Sequence, residues 1–295
     1  MAPANLIDGR AIARQLQGEL VQRIAALKAS GLQPGLAFVR VGEDAASRVY
    51  VGRKEKACAE LGIFSETHVL PETTSEAELL GLLERLNADP RLHGILVQAP
   101  LPRQMRAAVV YASVRPDKDV DGFHPVNVGK LMLGDPTGFL PCTPAGIREL
   151  LARSDVKIGG AEVVVLGRGN IVGKPMAAML CQKEKHANAT VTICHSATRD
   201  IKGHCRRADI VIAAIGVAAF VKADMVKSGA VVVDVGVNRV SDPAAKGGSR
   251  LVGDVDFAGV QPVAGKITPN PGGVGPMTIA MLMQNTVRAA ELAAG

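Results

Sequence analysis

Two groups of residues in this sequence have the types and spacing to do chemistry. The first lies at 161–176, AEVVVLGRGNIVGKPM. Residues 163–166 read as a buried strand, Gly167, Gly169 and Gly173 follow at once, and 175–180 can be helical. A strand, a glycine turn and a helix start together form a phosphate cradle. Glycine lets backbone N–H groups approach an anion, and the helix start offers unpaired donors at the positive end of its dipole. The spacing is GxGxxxG rather than the GxGxxG of the usual dinucleotide fingerprint, so a bland turn ahead of a core helix stays open. The second group lies in the first half. Tyr50 and Lys54 stand four apart on a predicted helix and project from one face. On a solvated face they are a surface pair. Facing a cleft, the lysine can be pulled from its ordinary value of about 10.4 toward neutrality by desolvation and work as a general acid or base. Gln98 ends a predicted strand, where its amide can orient such a lysine, and Asp119 and Asp121 follow in a polar loop. Ligands of open α/β sheets bind off the carboxyl ends of strands, so Lys54, Gln98 and Asp121 are candidates to converge.

The strand after the glycine loop ends ICHSATR at 193–199, with no carboxylate before Asp200. An NAD site usually places an acid there for the ribose hydroxyls. Hydroxyls and cations, Arg168 in the loop among them, suit a 2′-phosphate instead. The expectation is NADP ahead of NAD.

The elements that must hold these residues alternate. A helix is predicted over 10–29, a strand over 36–41, a helix over 45–61, a strand over 65–70, a helix opened by the capping pair Ser75 and Glu78, and a strand over 92–98. Residues 117–125 read as a polar loop, and Pro144 fits the first turn of a helix reaching Arg153. A second α/β unit follows, with strands over 163–166, 190–194, 209–215 and 230–235 and weaker pairing near 251–255. Residues 246–248 read as a surface loop, and 262–276 hold too much Pro and Gly for regular structure. A closing helix covers 277–292, with Met277, Met281 and Leu282 as core. The fold class is α/β in two domains, each with a parallel sheet.

Composition agrees. At 295 residues the chain has room for two domains, and with no Trp and 3% aromatics its cores are aliphatic, as parallel strands prefer. The net charge of +6 comes without a basic run interleaved with aromatics, so no nucleic-acid footprint is read. Five cysteines, none in a CxxC pair, indicate a reducing compartment. The pairs Cys194–His195 and His204–Cys205 are read as structural rather than as zinc ligands, and no metal is expected. No apolar run is of membrane length and the N-terminus has no signal-peptide core, so a cytoplasmic protein away from membranes is expected.

The segments SRVYVGRK at 47–54, GILVQAPLP at 94–102, KDVDGFHPVNVGKL at 118–131, FLPCTPAGI at 139–147, VVVLGRGNIVGKP at 163–175, TVTICHSAT at 190–198, ADIVIAAIG at 208–216, VVVDVGVN at 231–238 and PGGVGPMT at 271–278 resemble, in order, the bifunctional methylenetetrahydrofolate dehydrogenase/methenyltetrahydrofolate cyclohydrolase family. The resemblance implies a folate-binding catalytic domain (residues 1–140 plus 275–295) and a Rossmann-type NADP-binding domain (141–274). It also implies an active cleft between them, a final helix returning to the first domain and a homodimer built through the cofactor domain. Two reactions are implied: hydride transfer from 5,10-methylenetetrahydrofolate to NADP, then hydrolysis of the methenyl cation to 10-formyltetrahydrofolate. On this resemblance Lys54 is catalytic, Tyr50 lines the folate pocket beside it, Gln98 orients Lys54 and Asp121 binds the pterin edge. Gly273 and Pro276 lie beside the substrate. Gly167, Arg168, Gly169, Gly173, Ser196, Val237 and Thr143 fall at or near the cofactor.

Departures are visible. Gly169 stands where the family usually has serine, which removes a hydroxyl from the 2′-phosphate pocket and weakens the case for strict NADP preference. Ala99 replaces a common leucine, Ala197 a common arginine, and 182–186 looks like a short surface insertion. Competing readings are an enzyme retaining one of the two activities, a non-catalytic NADP sensor, and a different two-domain dehydrogenase of shikimate or amino-acid type. KDVDGFH and PGGVGPMT speak against the last.

Overall fold

Strand and helix alternate along the chain in a computed structural model that describes residues 5–242 and 248–295. In order, the first half holds β1 (Asn5–Leu6), α1 (Gly9–Ala29), β2 (Gly35–Val41), α2 (Ala45–Leu61), β3 (Phe64–Leu70), α3 (Glu76–Ala88), β4 (Gly94–Val97), α4 (Ala107–Ser113), α5 (Pro125–Leu133) and α6 (Cys142–Arg153). The second half holds β5 (Glu162–Leu166), α7 (Gly173–Leu180), β6 (Thr190–Cys194), α8 (Ile201–Arg207), β7 (Ile210–Ala213), β8 (Val231–Asp234), β9 (Asn238–Ser241), β10 (Ser249–Val252), α9 (Phe257–Val260), β11 (Lys266–Ile267) and α10 (Val274–Ala293). These elements form two compact units, one of Thr143–Thr278 with the chain's start as far as Ala13, the other of Arg14–Cys142 with Ile279–Gly295.

The second unit is built on a three-stranded parallel sheet in the order β3-β2-β4. Strand β2 is buried along its whole length and reads as an apolar run interrupted only by the buried Arg40. Helix α3 starts where the sequence says it should. The Ser75 side chain accepts from the Glu78 backbone N–H, and the Glu78 carboxylate accepts from that of Ser75. Its period then places Leu79, Leu82, Leu83 and Leu86 in the core, each contributing roughly 1.5–3 kcal/mol of burial.

The first unit carries a six-stranded parallel sheet in the order β1-β11-β8-β7-β5-β6. After α6 the chain returns to this sheet at β5, moves to β6 on one side and then to β7 on the other. The strand order therefore reverses between β5 and β7, and in such sheets ligands bind off the carboxyl ends of the strands at that point.

Several expectations change. Residues 262–276 are not wholly irregular: β11 pairs with both β1 and β8, and α10 begins at Val274. The stretch carrying His204 and Cys205, expected as a polar connection, is helix α8, because the Asp200 side chain caps it by accepting from Gly203 N–H. Near 251–255 the pairing is of two kinds: Leu251 and Val252 lie on β10, antiparallel to β9, and Val255 makes an isolated parallel bridge to Val221. Helices α4 and α5 were not anticipated. Residues 5–13 group with the six-stranded sheet, where β1 pairs with β11. Residues 246 and 247 of the expected surface loop lie outside the described residues.

Candidate active site and nucleotide crevice

In the second unit, α2 and the carboxyl end of β4 are tied through one carbonyl. Asp44 caps α2 by accepting from Ser47 N–H at 2.7 Å, and Ser47 Oγ donates to the Ala99 carbonyl oxygen at 3.2 Å. Gln98 Nε2 donates to that same oxygen at 2.7 Å. This bond decides which end of the Gln98 amide is which, so its oxygen faces α2 and accepts from Lys54 Nζ at 2.9 Å. Lys54 is only 7% exposed. Burial pushes its pKa down, opposed by the negative charge of Asp121 and, more weakly, by Cys142.

Asp121 retains some exposed surface as a residue, yet its carboxyl group is deep enough that burial raises its pKa against the pull of Lys54 and a hydrogen bond from Cys142. The backbone next to it is held from a distance. Asn285 Nδ2 on α10 donates to the carbonyls of Val120 at 2.8 Å and Leu140 at 3.1 Å, and Cys142 Sγ donates to Val120 O at 3.3 Å. Burial pushes the Cys142 thiol well above its ordinary value, so it stays a neutral donor. Asp119 does other work. Its oxygens accept from Phe123 N–H, His124 N–H and Asn127 Nδ2 at 3.1, 2.7 and 2.8 Å, and burial pushes it up to about 6. It knots the loop that presents Asp121.

The structure thus brings Lys54, Gln98 and Asp121 into one electrostatic cluster. Tyr50 is partly exposed one turn before Lys54, with the Arg53 guanidinium 6.0 Å from its ring centre. Sequence reasoning missed Cys142 and Asn285, whose partners are more than a hundred residues away in one case and 22 in the other. It also missed Tyr111, a half-buried phenol whose pKa is raised by burial and by Asp121.

In the first unit the glycine loop follows β5. Gly167 has φ +109, and a Cβ there would collide with the Ala214 carbonyl after β7. A Cβ on Gly173 would collide with the Gly167 carbonyl, so α7 starts hard against the turn. Both positions need glycine for backbone this close. Gly169 is different: a Cβ there meets nothing within 4 Å. Past β6, His195 N–H bonds Thr198 Oγ1 at 2.9 Å and leaves Ser196 exposed at the tip. Arg168 Nη1 lies 3.4 Å from His195 Nε2. Asp200 is engaged as the cap of α8, so the end of β6 presents hydroxyls and a guanidinium with no free acid before it. Val237 is 55% exposed after β8. Thr143 Oγ1 is 3.0 Å from Thr278 Oγ1, and Gly273 packs buried against Pro269 O and Thr268 two residues before Gly275–Pro276 on α10. Among the described residues no cluster of three or more His, Cys, Asp or Glu is placed to hold a metal.

A family model described as the catalytic domain of tetrahydrofolate dehydrogenase/cyclohydrolase matches residues 7–121, and one described as its NAD(P)-binding domain matches residues 141–294. The bifunctional protein FolD 2 of Geobacter metallireducens is 55% identical over 288 residues, spanning 98% of this chain and 97% of that protein. The bifunctional FolD methylenetetrahydrofolate dehydrogenase/cyclohydrolase of Campylobacter jejuni is a structural match with TM-score 0.92 and 46% identity, covering 98% of this chain and 99% of that one. The Trypanosoma brucei enzyme, solved with NADP and an inhibitor, matches with TM-score 0.94 and 40% identity over 100% of this chain and 99% of that one. The chain belongs to the tetrahydrofolate dehydrogenase/cyclohydrolase family.

Proposed function

We propose that this chain oxidises 5,10-methylenetetrahydrofolate with NADP to the 5,10-methenyl cation and hydrolyses that cation to 10-formyltetrahydrofolate. The observation that carries the reading is a desolvated Lys54 held by Gln98 beside Asp121. The two folate nitrogens flanking the bridging carbon stabilise the cation themselves, so the protein's task in the first step is alignment. When bound, the nicotinamide accepts the hydride from that carbon. Gly167 and Gly173 leave room for its phosphates against the start of α7, and Arg168 and Ser196 suit the 2′-phosphate.

In the second step a protonated lysine would repel the cation. Lys54, whose burial favours the neutral amine, takes a proton from the attacking water as oxygen bonds to the bridging carbon. It returns that proton to N5 as the bond from the carbon to N5 breaks and the ring opens, and the remaining hydroxyl proton leaves to solvent as the oxygen becomes the formyl carbonyl. Gln98 holds one N–H of Lys54 and so keeps the lone pair turned away from the Gln98 oxygen. Asp121 accepts from the amino and ring N–H groups of the pterin edge, while Tyr50, Gly273 and Pro276 line the folate. We further read the protein as a cytoplasmic homodimer joined through its cofactor-binding part, with domain limits at 1–140 plus 275–295 and 141–274. Its product would supply one-carbon units for purine, methionine and histidine synthesis. Among the described residues no helix is long and apolar enough to cross a membrane.

Initial rates with methylenetetrahydrofolate and either NADP or NAD, followed by methenyl decay monitored in the same cuvette, test the reading. Nicotinamide reduction without methenyl hydrolysis would leave a dehydrogenase alone. Hydrolysis without reduction would leave a cyclohydrolase alone.

A further inference from the structure

The carboxyl end of the six-stranded sheet is held together by two buried carboxylates that neither reaction uses. Asp254 is fully buried. Its Oδ2 accepts from two consecutive backbone donors, Ile215 N–H at 2.7 Å and Gly216 N–H at 2.8 Å, and its Oδ1 accepts from Asn238 Nδ2 at 2.8 Å. Asp234, 3% exposed at the end of β8, accepts from Gly236, Asp254 and Val255 N–H at 3.0, 2.8 and 3.3 Å. Asn270 Nδ2 closes the set by donating to the Gly236 carbonyl at 2.6 Å. No Cβ can be added at Gly236 or Gly253 without striking the Asp254 or Asp234 carboxylate. The loops after β7, β8 and β10 are therefore tied through one pair of side chains, Asn270 adds the loop after β11, and exposed Val237 lies on the span between Gly236 and Asn238.

The place of this knot decides its use. In a doubly wound sheet the pyrophosphate sits at the glycine turn after the first strand, here β5, and the adenosine ribose lies toward the end of the next strand, here β6. The rest of a dinucleotide must run the other way, over the ends of β7 and β8. Those are the ends that Asp254 and Asp234 shape. We infer that Asp254 is a positioning residue that holds the Ile215–Gly216 and Gly236–Asn238 backbone in the form that receives the nicotinamide half of the cofactor. This inference rests on the proposed NADP-linked activity. Its chemistry is that of a built-in anion: a carboxylate occupying a pair of successive N–H groups and thereby keeping them turned inward. Burial pushes Asp234 up to about 6 against the pull of its backbone hydrogen bonds.

Asp254→Asn in the full chain tests it. An amide has one acceptor oxygen, so its NH2 must face either the Ile215–Gly216 donors or Asn238, and one side of the knot opens. The readouts are calorimetric Kd values for NADP and for 2′,5′-ADP, which reaches only the adenosine end. They are joined by dehydrogenase KM and kcat, cyclohydrolase turnover and Tm. The expected result is an NADP Kd and KM raised about tenfold, with 2′,5′-ADP binding and cyclohydrolase turnover unchanged. A folded variant that binds NADP as the wild type does overturns the inference. So does parallel loss of 2′,5′-ADP binding, cyclohydrolase turnover and Tm, because the carboxylate would then hold the fold as a whole. Should Asp254→Asn not fold, Asn238→Ala decides, since it removes one donor and leaves the carboxylate: a rise of about threefold in NADP Kd alone is expected, and an unchanged Kd overturns the proposal. A wild-type protein that binds neither NADP nor 2′,5′-ADP overturns the cofactor reading itself and the inference with it.

Discussion

Lys54 Nζ donates to Gln98 Oε1 at 2.9 Å while the other end of the same amide is fixed by the Ala99 carbonyl at 2.7 Å. A buried amine with one N–H held in place keeps its lone pair turned away from that partner and free to take a proton, as a general base requires. Lys54→Met keeps the aliphatic length and removes the base. Cyclohydrolase turnover should fall by at least about a hundredfold, while Tm stays level or rises because a buried amine is replaced by an apolar group. Parallel methenyl-decay assays and thermal melts check this, and near-normal hydrolysis in the variant would remove Lys54 from the mechanism.

The lowered pKa of Lys54 also sets a direction for stability. Between its folded value and the ordinary 10.5, the unfolded chain binds a proton that the native site does not. Stability therefore rises with pH across that window and is lowest beneath it. Lys54→Met should flatten this slope in denaturant titrations taken at a series of pH values. Gln98→Glu should do the reverse at the site. A carboxylate at 98 favours the ammonium form, so the rising limb of cyclohydrolase activity moves to higher pH. A limb that does not move would show that another group titrates there.

Much of this site is legible in the sequence, and the rest is not for identifiable reasons. Tyr50 and Lys54 reveal themselves by helical spacing, Gln98 by closing an apolar run, and the glycine loop by following a strand. Asp119 and Asp121 look alike on the page. Only the fold shows that Asp119 is consumed by Phe123, His124 and Asn127 while Asp121 is left toward Lys54. Asn285 has no local signal at all, since its partners are carbonyls at 120 and 140. Strand β11 hides because two residues in a Pro/Gly-rich stretch carry no period, and its pairing is made by backbone groups with β1 and β8. Helix α8 hides because its start is set by the cap Asp200 rather than by an apolar stripe.

Gly173 offers a test that separates the two activities. Its added Cβ would meet the Gly167 carbonyl and the Arg168 Cα, both backbone, so Gly173→Ala must push α7 away from the glycine turn. The phosphate cradle depends on that closeness. NADP binding and dehydrogenase turnover should fall by about tenfold or more, while hydrolysis of added methenyltetrahydrofolate, which needs no nucleotide, persists. Equal loss of both activities would mean that the substitution damages more than the cradle.

Gly169 is the opposite case. A Cβ there meets nothing within 4 Å and the backbone is not in the left-handed region, so Gly169→Ser costs little in packing or strain. It adds a hydroxyl to the turn that carries Arg168, opposite a β6 end with no free acid before the capping Asp200. One net hydrogen bond to a charged phosphate contributes about 1.5–3 kcal/mol, which is roughly ten- to a hundredfold in affinity. The variant should therefore bind NADP more tightly while its affinity for NAD, which has no 2′-phosphate, stays as it was. Calorimetric titration of wild type and variant with both nucleotides gives the ratio. If that ratio does not change, position 169 does not face the 2′-phosphate, and cofactor choice is left to Arg168 and Ser196.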